Sequence, residues 1–227
     1  MISIVMAYYD RQVLLKKTLD SIKGDDFEVI IVNDGSPKID ESIYPDMDIK
    51  TIDIEKKYPN SCIPFNIGFK YAKGDIIVIQ NPECMHVGDI VSEAKHCGDN
   101  YLSFACYSIS KDTVFDENNI INRVVRFDGD DGWYNHHNYR PVDYHFCTAI
   151  SKKNLNKLGG FDEIYKYGLA YEDNEFISRV RSNMNVIRIT KPFVVHQWHY
   201  SGNRPDAGVL TKINKRLYES NSLHSSI

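Results

Sequence analysis

Short runs typical of buried strands alternate with a helical segment at the start of the chain, and this alternation constrains the fold most strongly. Residues 2–7 and 27–32 are apolar and rich in β-branched residues, as in strands buried on both faces. Residues 13–22 between them place apolar side chains at helical spacing, with lysines and an aspartate in the intervening positions. Strands that alternate with helices predict crossover units and an α/β fold with a mostly parallel sheet.

The pattern continues with a strand at residues 49–54, a helix at 66–72 and a strand at 76–79. Apolar and polar residues alternate in 49–54, as in a strand near the edge of a sheet. In parallel sheets, ligands bind at the carboxyl ends of the strands. We therefore expect the polar residues that follow three of these strands to meet in one crevice. They are Tyr9 and Asp10, Asn33 and Asp34, and residues 81–83.

The second half has a different character, and we predict a smaller antiparallel element there. The predicted helices are residues 89–95, 152–158 and 172–180, and the predicted strands are 101–108, 147–150, 186–189 and 193–195. Residues 128–144 are polar, aromatic and glycine-containing, which predicts a long functional loop. Without a repeat or linker, the sequence favours one domain over 1–227, with a first half of 1–100, a second of 101–199 and a tail of 200–227.

Charge and cysteine content narrow the functional class. A net charge of −4 without a dense basic block argues against nucleic acid as a partner. Five cysteines without a Cys-x-x-Cys pair favour reduced thiols over a disulfide framework. With no signal peptide and no apolar run of transmembrane length, we expect a soluble cytoplasmic protein, and a loose association with a membrane stays open.

The first two strands and their turns carry a family resemblance. The segment Val-Ile-Ile-Val-Asn-Asp-Gly-Ser, after Ile-Ser-Ile-Val-Met-Ala-Tyr-Tyr-Asp-Arg, resembles the nucleotide-binding half of family-2-type GT-A glycosyltransferases. The resemblance implies that Asp34 contacts the base of a nucleotide-sugar, together with Ala7, Tyr9 and Asp10. Taken alone, the Asn-Asp-Gly-Ser segment reads as an ordinary turn.

A second segment, Asn66-Ile67-Gly68 followed by Ala-Lys-Gly-Asp, resembles the Asn-x-Gly segment of the same family. It implies that Asn66 and Gly68 lie close to the donor.

The family's Asp-x-Asp metal motif is replaced here by Gln-Asn-Pro-Glu. Mg²⁺ and Mn²⁺ prefer hard oxygen ligands, which the Glu83 carboxylate and the Asn81 carbonyl offer. Several GT-A enzymes place a late histidine on the metal, and His196 stands at that point of the resemblance. His199 is the weaker candidate, or a diphosphate contact. The alternative is a plain strand-ending turn that holds no metal.

An acidic stretch completes the resemblance. Gly-Gly-Phe-Asp-Glu followed by Tyr-Glu-Asp-Asn-Glu resembles the acceptor segment of such enzymes, including galactosyltransferases. Inverting transfer needs a carboxylate that takes the acceptor proton, although carboxylates at a helix N-terminus also serve as caps. By position in the motif we predict Asp173 as base and Glu172 as ligand of the acceptor hydroxyl. Helical spacing, however, brings Glu172 close to Glu175 and turns Asp173 away.

Aromatic residues in the predicted loop suit sugar recognition, and we expect Trp133, Tyr134 and His137 to bind the acceptor. A loop packed on its own aromatic side chains is the alternative.

The resemblance implies a hexosyltransferase that uses a UDP-sugar donor, a glycan or glycoconjugate acceptor and Mn²⁺ or Mg²⁺. A noncatalytic nucleotide- or sugar-binding module with a degenerate metal site is the rival. A nucleotidyltransferase would need a basic glycine-rich loop after the first strand, and residues 8–12 do not provide one.

Overall fold

A computed structural model of the chain describes residues 1–126, 129–200 and 204–224. Within these residues nine strands form one sheet. In chain order they are β1 (Ile2–Tyr8), β2 (Phe27–Asp34), β3 (Ile49–Ile54), β4 (Ile76–Gln80), β5 (Cys84–Val87), β6 (Tyr101–Ser108), β7 (Gly132–Asn135), β8 (Cys147–Ser151) and β9 (Val186–His196). The α-helices of the same part of the chain are α1 (Gln12–Ser21), α2 (Cys62–Tyr71), α3 (Ile90–Ala94), α4 (Lys152–Leu158), α5 (Glu172–Asn183) and α6 (Ala207–His224).

The sheet order is β3-β2-β1-β4-β8-β6-β9-β5, and β7 pairs with β6. The strands β3, β2, β1 and β4 are parallel to one another. Strand β8 joins antiparallel to β4 and β6, whereas β6 and β9 are parallel and β5 is antiparallel to β9. The predicted α/β fold, with a central parallel sheet and an antiparallel element, is confirmed. Strand β3 lies at the edge, as its alternation indicated.

Both faces of the central strands are buried. In β1, Ile4 and Met6 belong to an apolar cluster on one face, and Val5 belongs to a second cluster on the other. Burial of such side chains stabilises the fold by roughly 1.5–3 kcal/mol each. Helix α2 covers the second face at close range, because a Cβ at Gly68 would lie 2.4 Å from Cγ1 of Val5.

The structure departs from the predicted elements in three places. Within the predicted loop, β7 pairs with β6 through Trp133 and Tyr107, so the expectation of irregular structure is wrong for these residues. Residue 128, where that loop was to begin, lies outside the described residues. Strand β5 was not predicted, and the two predicted late strands are one continuous strand, β9. These elements depend on pairing between residues far apart in sequence, which local periodicity does not reveal.

Helix α6 makes up most of the predicted tail of residues 200–227, of which 201–203 and 225–227 lie outside the described residues. It packs on the segment that precedes α5. The buried side chain of Asn214 donates to the backbone oxygens of Tyr165 and Ala170, at 2.9 and 2.8 Å. No helix in the described part of the chain is long and apolar enough to cross a membrane.

Candidate active site

A crevice of about 440 Å³ opens at the carboxyl ends of β1, β2 and β4. The parallel register brings these ends together, because Tyr8 is level with Asn33, and Met6 with Gln80. Seven of the residues predicted from the sequence border this crevice. They are Ala7, Tyr9, Asp34, Asn81, Glu83, Glu172 and Asp173.

One end of the crevice is formed by Asp34 and its neighbours. The Asp34 carboxylate is buried and pairs with the ammonium group of Lys56. That ammonium also lies 4.6 Å from the centre of the Tyr9 ring. A carboxylate, an ammonium group and an exposed aromatic ring can together bind the edge and the face of a nucleobase.

Asp10 lies outside the crevice lining, although it was predicted to contact the donor. Its backbone amide donates to Oγ of Ser36 at 2.7 Å, and this bond joins the turns after β1 and β2. Asp10 has a φ of 48°, in the left-handed region where aspartate is one of the few tolerated residues. Its place in the structure is that of a turn residue beside the crevice.

Glu83 borders the crevice, and two histidines outside the crevice lining lie against it. Glu83 precedes β5, and the end of β9 is level with the start of β5 through Cys84 and His196. Oε1 of Glu83 lies 3.3 Å from Nε2 of His196 and 3.7 Å from Nε2 of His199. Gln197 fixes this arrangement, because its backbone and side-chain amides both donate to the Glu83 carbonyl oxygen at 3.1 Å.

Arg11 is the fourth member of this cluster, and the sequence reasoning assigned it no role. Its Nη1 lies 2.6 Å from Oε2 of Glu83. Burial alone would raise the pKa of Glu83, but Arg11 and the two imidazoles hold that pKa well below its ordinary value. Glu83 is therefore an anion, although the crevice buries it almost completely.

The donor set of Glu83, His196 and His199 fits a divalent metal. Among the described residues these three offer ligand atoms that all lie within 4.8 Å of one another. Neighbouring ligands of an ion with bonds of about 2.1 Å lie about 3 Å apart, so small side-chain shifts suffice. One carboxylate with two imidazoles suits Mn²⁺ and other first-row ions, whereas Mg²⁺ prefers oxygen ligands. The Arg11 guanidinium would share the carboxylate with the ion.

The acidic pair lies across the crevice, at the start of α5. Ala170 and Tyr171 directly before the helix have φ values of 57° and 69°. Left-handed backbone at such residues costs about 1–3 kcal/mol each and persists only where the surroundings enforce it. These two residues lead the chain into α5 so that both Glu172 and Asp173 border the crevice.

Glu172 and Asp173 have different surroundings. Glu172 is buried, and its Oε2 accepts a hydrogen bond of 2.7 Å from Nδ2 of Asn60. Burial, followed by the charge of Asp173, raises the pKa of Glu172 to about 7. Asp173 keeps 23% of its side chain exposed and pairs with Nδ1 of His145. The Glu172 carboxyl group can therefore hold a proton near neutral pH.

Glu175, the third acidic residue of the first turn, does not border the crevice. Its carboxylate binds the guanidinium of Arg179 through two contacts, of 2.5 and 2.6 Å. Arg179 also donates to the backbone oxygens of Leu158 and Gly160. Glu175 thus anchors α5 to the turn after α4.

Asn66 and Gly68 also lie away from the crevice, although both were predicted to contact the donor. The Asn66 side chain accepts a hydrogen bond of 2.9 Å from the backbone amide of Phe161 and donates one of 2.8 Å to the carbonyl oxygen of the same residue. Gly68 faces Val5 and Val32 in the core. In this structure the Asn-x-Gly segment joins α2 to the loop after α4 and to the sheet.

The three predicted acceptor residues are not part of the crevice lining. Trp133 is buried in an apolar cluster, and its indole Nε1 donates to Asn122 at 2.9 Å. Tyr134 packs on Phe146, with ring centres 4.6 Å apart. His137 is exposed and contacts Thr190 at 3.1 Å. The pairing of β7 with β6 is the physical reason, because it turns Trp133 into the core.

Several residues of the crevice carried no assigned role in the sequence reasoning. Arg11 ends the segment of residues 2–11 that carries the family resemblance, and Arg204 lies in the tail of residues 200–227. Asn60 precedes α2 in an ordinary helix-start position, whereas nothing local distinguished Lys56 or His145.

Comparison with known proteins gives one family and several solved structures. Residues 3–159 match the family model described as glycosyl transferase family 2. No curated protein matches the chain.

The structure of S. aureus TarS in complex with UDP-GlcNAc is 13% identical, with a TM-score of 0.66 over 94% of this chain and 65% of that one. TarS in complex with UDP is 14% identical, with a TM-score of 0.64 over 94% of this chain and 64% of that one. The mannosyltransferase PcManGT from Pyrobaculum calidifontis, in complex with GDP-Man and Mn²⁺, is 15% identical. Its TM-score is 0.56 over 86% of this chain and 56% of that one. The chain thus spans less than two thirds of each of these proteins, and at such identities the likeness concerns the fold.

Proposed function

Because the chain belongs to glycosyl transferase family 2 and has the GT-A fold, we propose that it transfers a hexose from a UDP-sugar to a hydroxyl group of a glycan or glycoconjugate. The family supports glycosyl transfer in general. The observation that carries the finer proposal is that Asp34, Glu83 and Asp173 border the same crevice. One carboxylate is available for each of three tasks: Asp34 for binding the nucleobase, Glu83 for the cation beside the diphosphate and Asp173 for the acceptor proton.

The nucleobase would lie at the end formed by Asp34, Lys56 and Tyr9. Asp34 can accept a hydrogen bond from a ring N–H of the base, and Lys56 can donate to a carbonyl oxygen. UDP is preferred because TarS was solved with UDP and with UDP-GlcNAc, although PcManGT was solved with GDP-Man. The binding of UDP and GDP to this chain is therefore the first comparison to make.

Glu83, His196 and His199 would hold a divalent cation beside the diphosphate, and Mn²⁺ suits this donor set better than Mg²⁺. A bound cation would neutralise charge on the departing nucleoside diphosphate. Arg11 and Arg204 add positive charge of the chain's own to the same crevice. These two guanidinium groups can bind phosphate oxygens directly.

Asp173 would act as the general base. The acceptor oxygen forms a bond to the anomeric carbon while the bond from that carbon to the diphosphate oxygen breaks, and the diphosphate leaves with the electron pair. The acceptor proton passes to the Asp173 carboxylate. Glu172, with a pKa raised to about 7, would keep its proton at slightly acid pH and bind the acceptor hydroxyl. A single displacement of this kind inverts the anomeric configuration.

The first experiment measures hydrolysis and transfer with a panel of UDP- and GDP-sugars in the presence of Mn²⁺. We expect Asp173→Asn to lower turnover by about 10²–10⁴, the usual contribution of a general base, while donor binding stays within about twofold. Asp112→Asn removes a carboxylate from an exposed site and serves as the matched control.

Two outcomes would count against the proposal. Equal turnover by Asp173→Asn and Asp112→Asn would remove Asp173 from the role of base. A wild-type protein that binds the donor but never turns it over would favour the noncatalytic module.

A further inference from the structure

We propose that His145 is a positioning residue that holds one oxygen of the Asp173 carboxylate, so that the other oxygen faces the acceptor. This inference deepens the proposed function and rests on it. His145 lies two residues before β8, in a part of the chain that the resemblance left without a role.

The imidazole of His145 has a fixed place in the structure. The ring is buried, with its centre 4.9 Å from that of Phe65 and 5.0 Å from that of Phe161, and it meets both rings edge-on. Its Nδ1 contacts Oδ1 of Asp173. A ring packed between two phenylalanines has little rotational freedom, so the position of Nδ1 is determined by the core rather than by solvent.

The contact divides the Asp173 carboxyl group into two unequal oxygens. Oδ1 is fully buried, whereas 23% of the whole side chain remains exposed. The oxygen that His145 contacts is therefore shielded from the crevice, and Oδ2 is left as the proton acceptor. Without such a contact, an aspartate in the first turn of a helix can rotate to cap the backbone amides instead.

The charges around the ring favour a stable pair. Burial lowers the pKa of His145, but the carboxylates of Asp173, Glu172 and, more distantly, Glu83 outweigh burial and raise it. The two phenylalanine rings carry no charge. During transfer the acceptor proton goes to Oδ2 of Asp173, and the imidazole keeps its own proton, so His145 guides the base without exchanging protons with the substrate.

Two substitutions separate this role from simple packing. His145→Asn keeps an N–H donor near the position of Nδ1, whereas His145→Phe keeps an aromatic ring and loses the donor. We expect turnover of the best UDP-sugar to fall about 100-fold in His145→Phe, the cost of a base displaced by about 1 Å, and about 10-fold or less in His145→Asn. Donor affinity, measured by calorimetry with Mn²⁺, should stay within about twofold of wild type in both variants. His96→Asn, at an exposed site just after α3, is the control.

A second measurement needs no turnover. Nuclear magnetic resonance of labelled histidines, with His145 assigned by its loss in His145→Asn, gives the pKa of this ring. We expect that pKa to lie above the ordinary histidine value in the wild type and to fall in Asp173→Asn.

Turnover by His145→Phe equal to that of wild type, or a His145 pKa that does not respond to Asp173→Asn, would overturn the inference. If the wild type turns over no donor while the pKa does respond, the pairing stands and the proposed function fails. If His145→Phe does not fold, the titration of the wild type and Asp173→Asn still decides whether the pair exists.

Discussion

Neighbouring carboxyl groups at the start of α5 are placed in two different environments. Glu172 points into a buried site beside Asn60, and Asp173 stays partly exposed beside His145. Burial raises the pKa of Glu172, whereas Asp173 stays partly exposed, and such a difference in environment suits the separate roles proposed for the two acids. The helical rotation that separates the two side chains, which argued against Asp173 on spacing alone, is what gives each its own partner.

The raised pKa of Glu172 predicts a pH-dependent stability. The folded protein holds this proton up to about pH 7, whereas the unfolded chain releases it near 4.5. Between these values the folded state binds more protons, so its stability decreases as the pH rises through this window. Glu172→Gln cannot lose this proton, so its free energy of unfolding should not fall in this window. We expect the free energy of unfolding of the variant, relative to wild type, to be higher at pH 8 than at pH 5 by on the order of 2 kcal/mol.

Chemical denaturation at the two pH values measures the difference. Glu219→Gln, an exposed site on α6, is the control and should show no such gain. An equal effect of Glu172→Gln at pH 5 and pH 8 would contradict the buried, protonated state.

At the scale of single residues, the sequence predicted crevice residues that follow strands directly, such as Asp34 and Asn81. It failed for Asn66, because the partner of that side chain, Phe161, is remote in sequence. It also had no means to identify His145, whose role depends on packing between two elements that are distant along the chain.

At the scale of elements, helix α6 supports the candidate active site from outside. Its Asn214 donates to the carbonyl oxygens of Tyr165 and Ala170, and Ala170 is the first of the two left-handed residues that precede α5. Leu169 donates its amide hydrogen to the carbonyl oxygen of Leu210 at 3.2 Å in the same region. The helix therefore holds the loop that positions the acidic pair.

Replacement of Asn214 tests this support. Asn214→Ala removes the donor to the carbonyl oxygens of buried Tyr165 and of Ala170 and should lower the free energy of unfolding by about 1–3 kcal/mol. Because the loop of residues 165–170 loses its anchor, its amides should exchange hydrogen faster than those of β1. Hydrogen exchange measures both regions in one experiment, with Lys212→Ala on the exposed side of α6 as control. Unchanged exchange in this loop would show that α6 does not support it.

The parallel strands of the first half were predictable because each carries its own periodicity. Strands β1, β2 and β4 are apolar runs, and their parallel arrangement follows from the helices between them. Strand β5 has only four residues and owes its existence to β9, so no local signal announces it. The cluster of Glu83, His196 and His199 depends on that same pairing, which brings the end of β9 beside the start of β5.

At the scale of the whole molecule, all five cysteines are buried and unpaired. Burial raises the pKa of Cys62 to about 12 and that of Cys97 to about 11, so both are protonated thiols at neutral pH. Because the thiolate is the reactive form, these side chains should be inert in the native protein.

Thiol labelling with a chromogenic disulfide reagent tests this. We expect five thiols to react in denaturant. In the native state the labelling rate of each thiol should be lower by a factor of about 100 or more, because labelling then requires unfolding. A native thiol that reacts within seconds would place one cysteine at the surface.

The sheet order also has a consequence for the route by which the chain reaches its native state. Arg11 and Glu83 come from the early part of the chain, whereas Asp173 and His196 arrive with strands and helices made last. Contacts between such distant segments require large loops to close, and they slow folding. A chain emerging from the ribosome can form β1 to β4 early. The cluster of Glu83, His196 and His199, however, is not complete until β9 docks beside β5. We expect refolding experiments to recover sheet signal first and Mn²⁺ binding last.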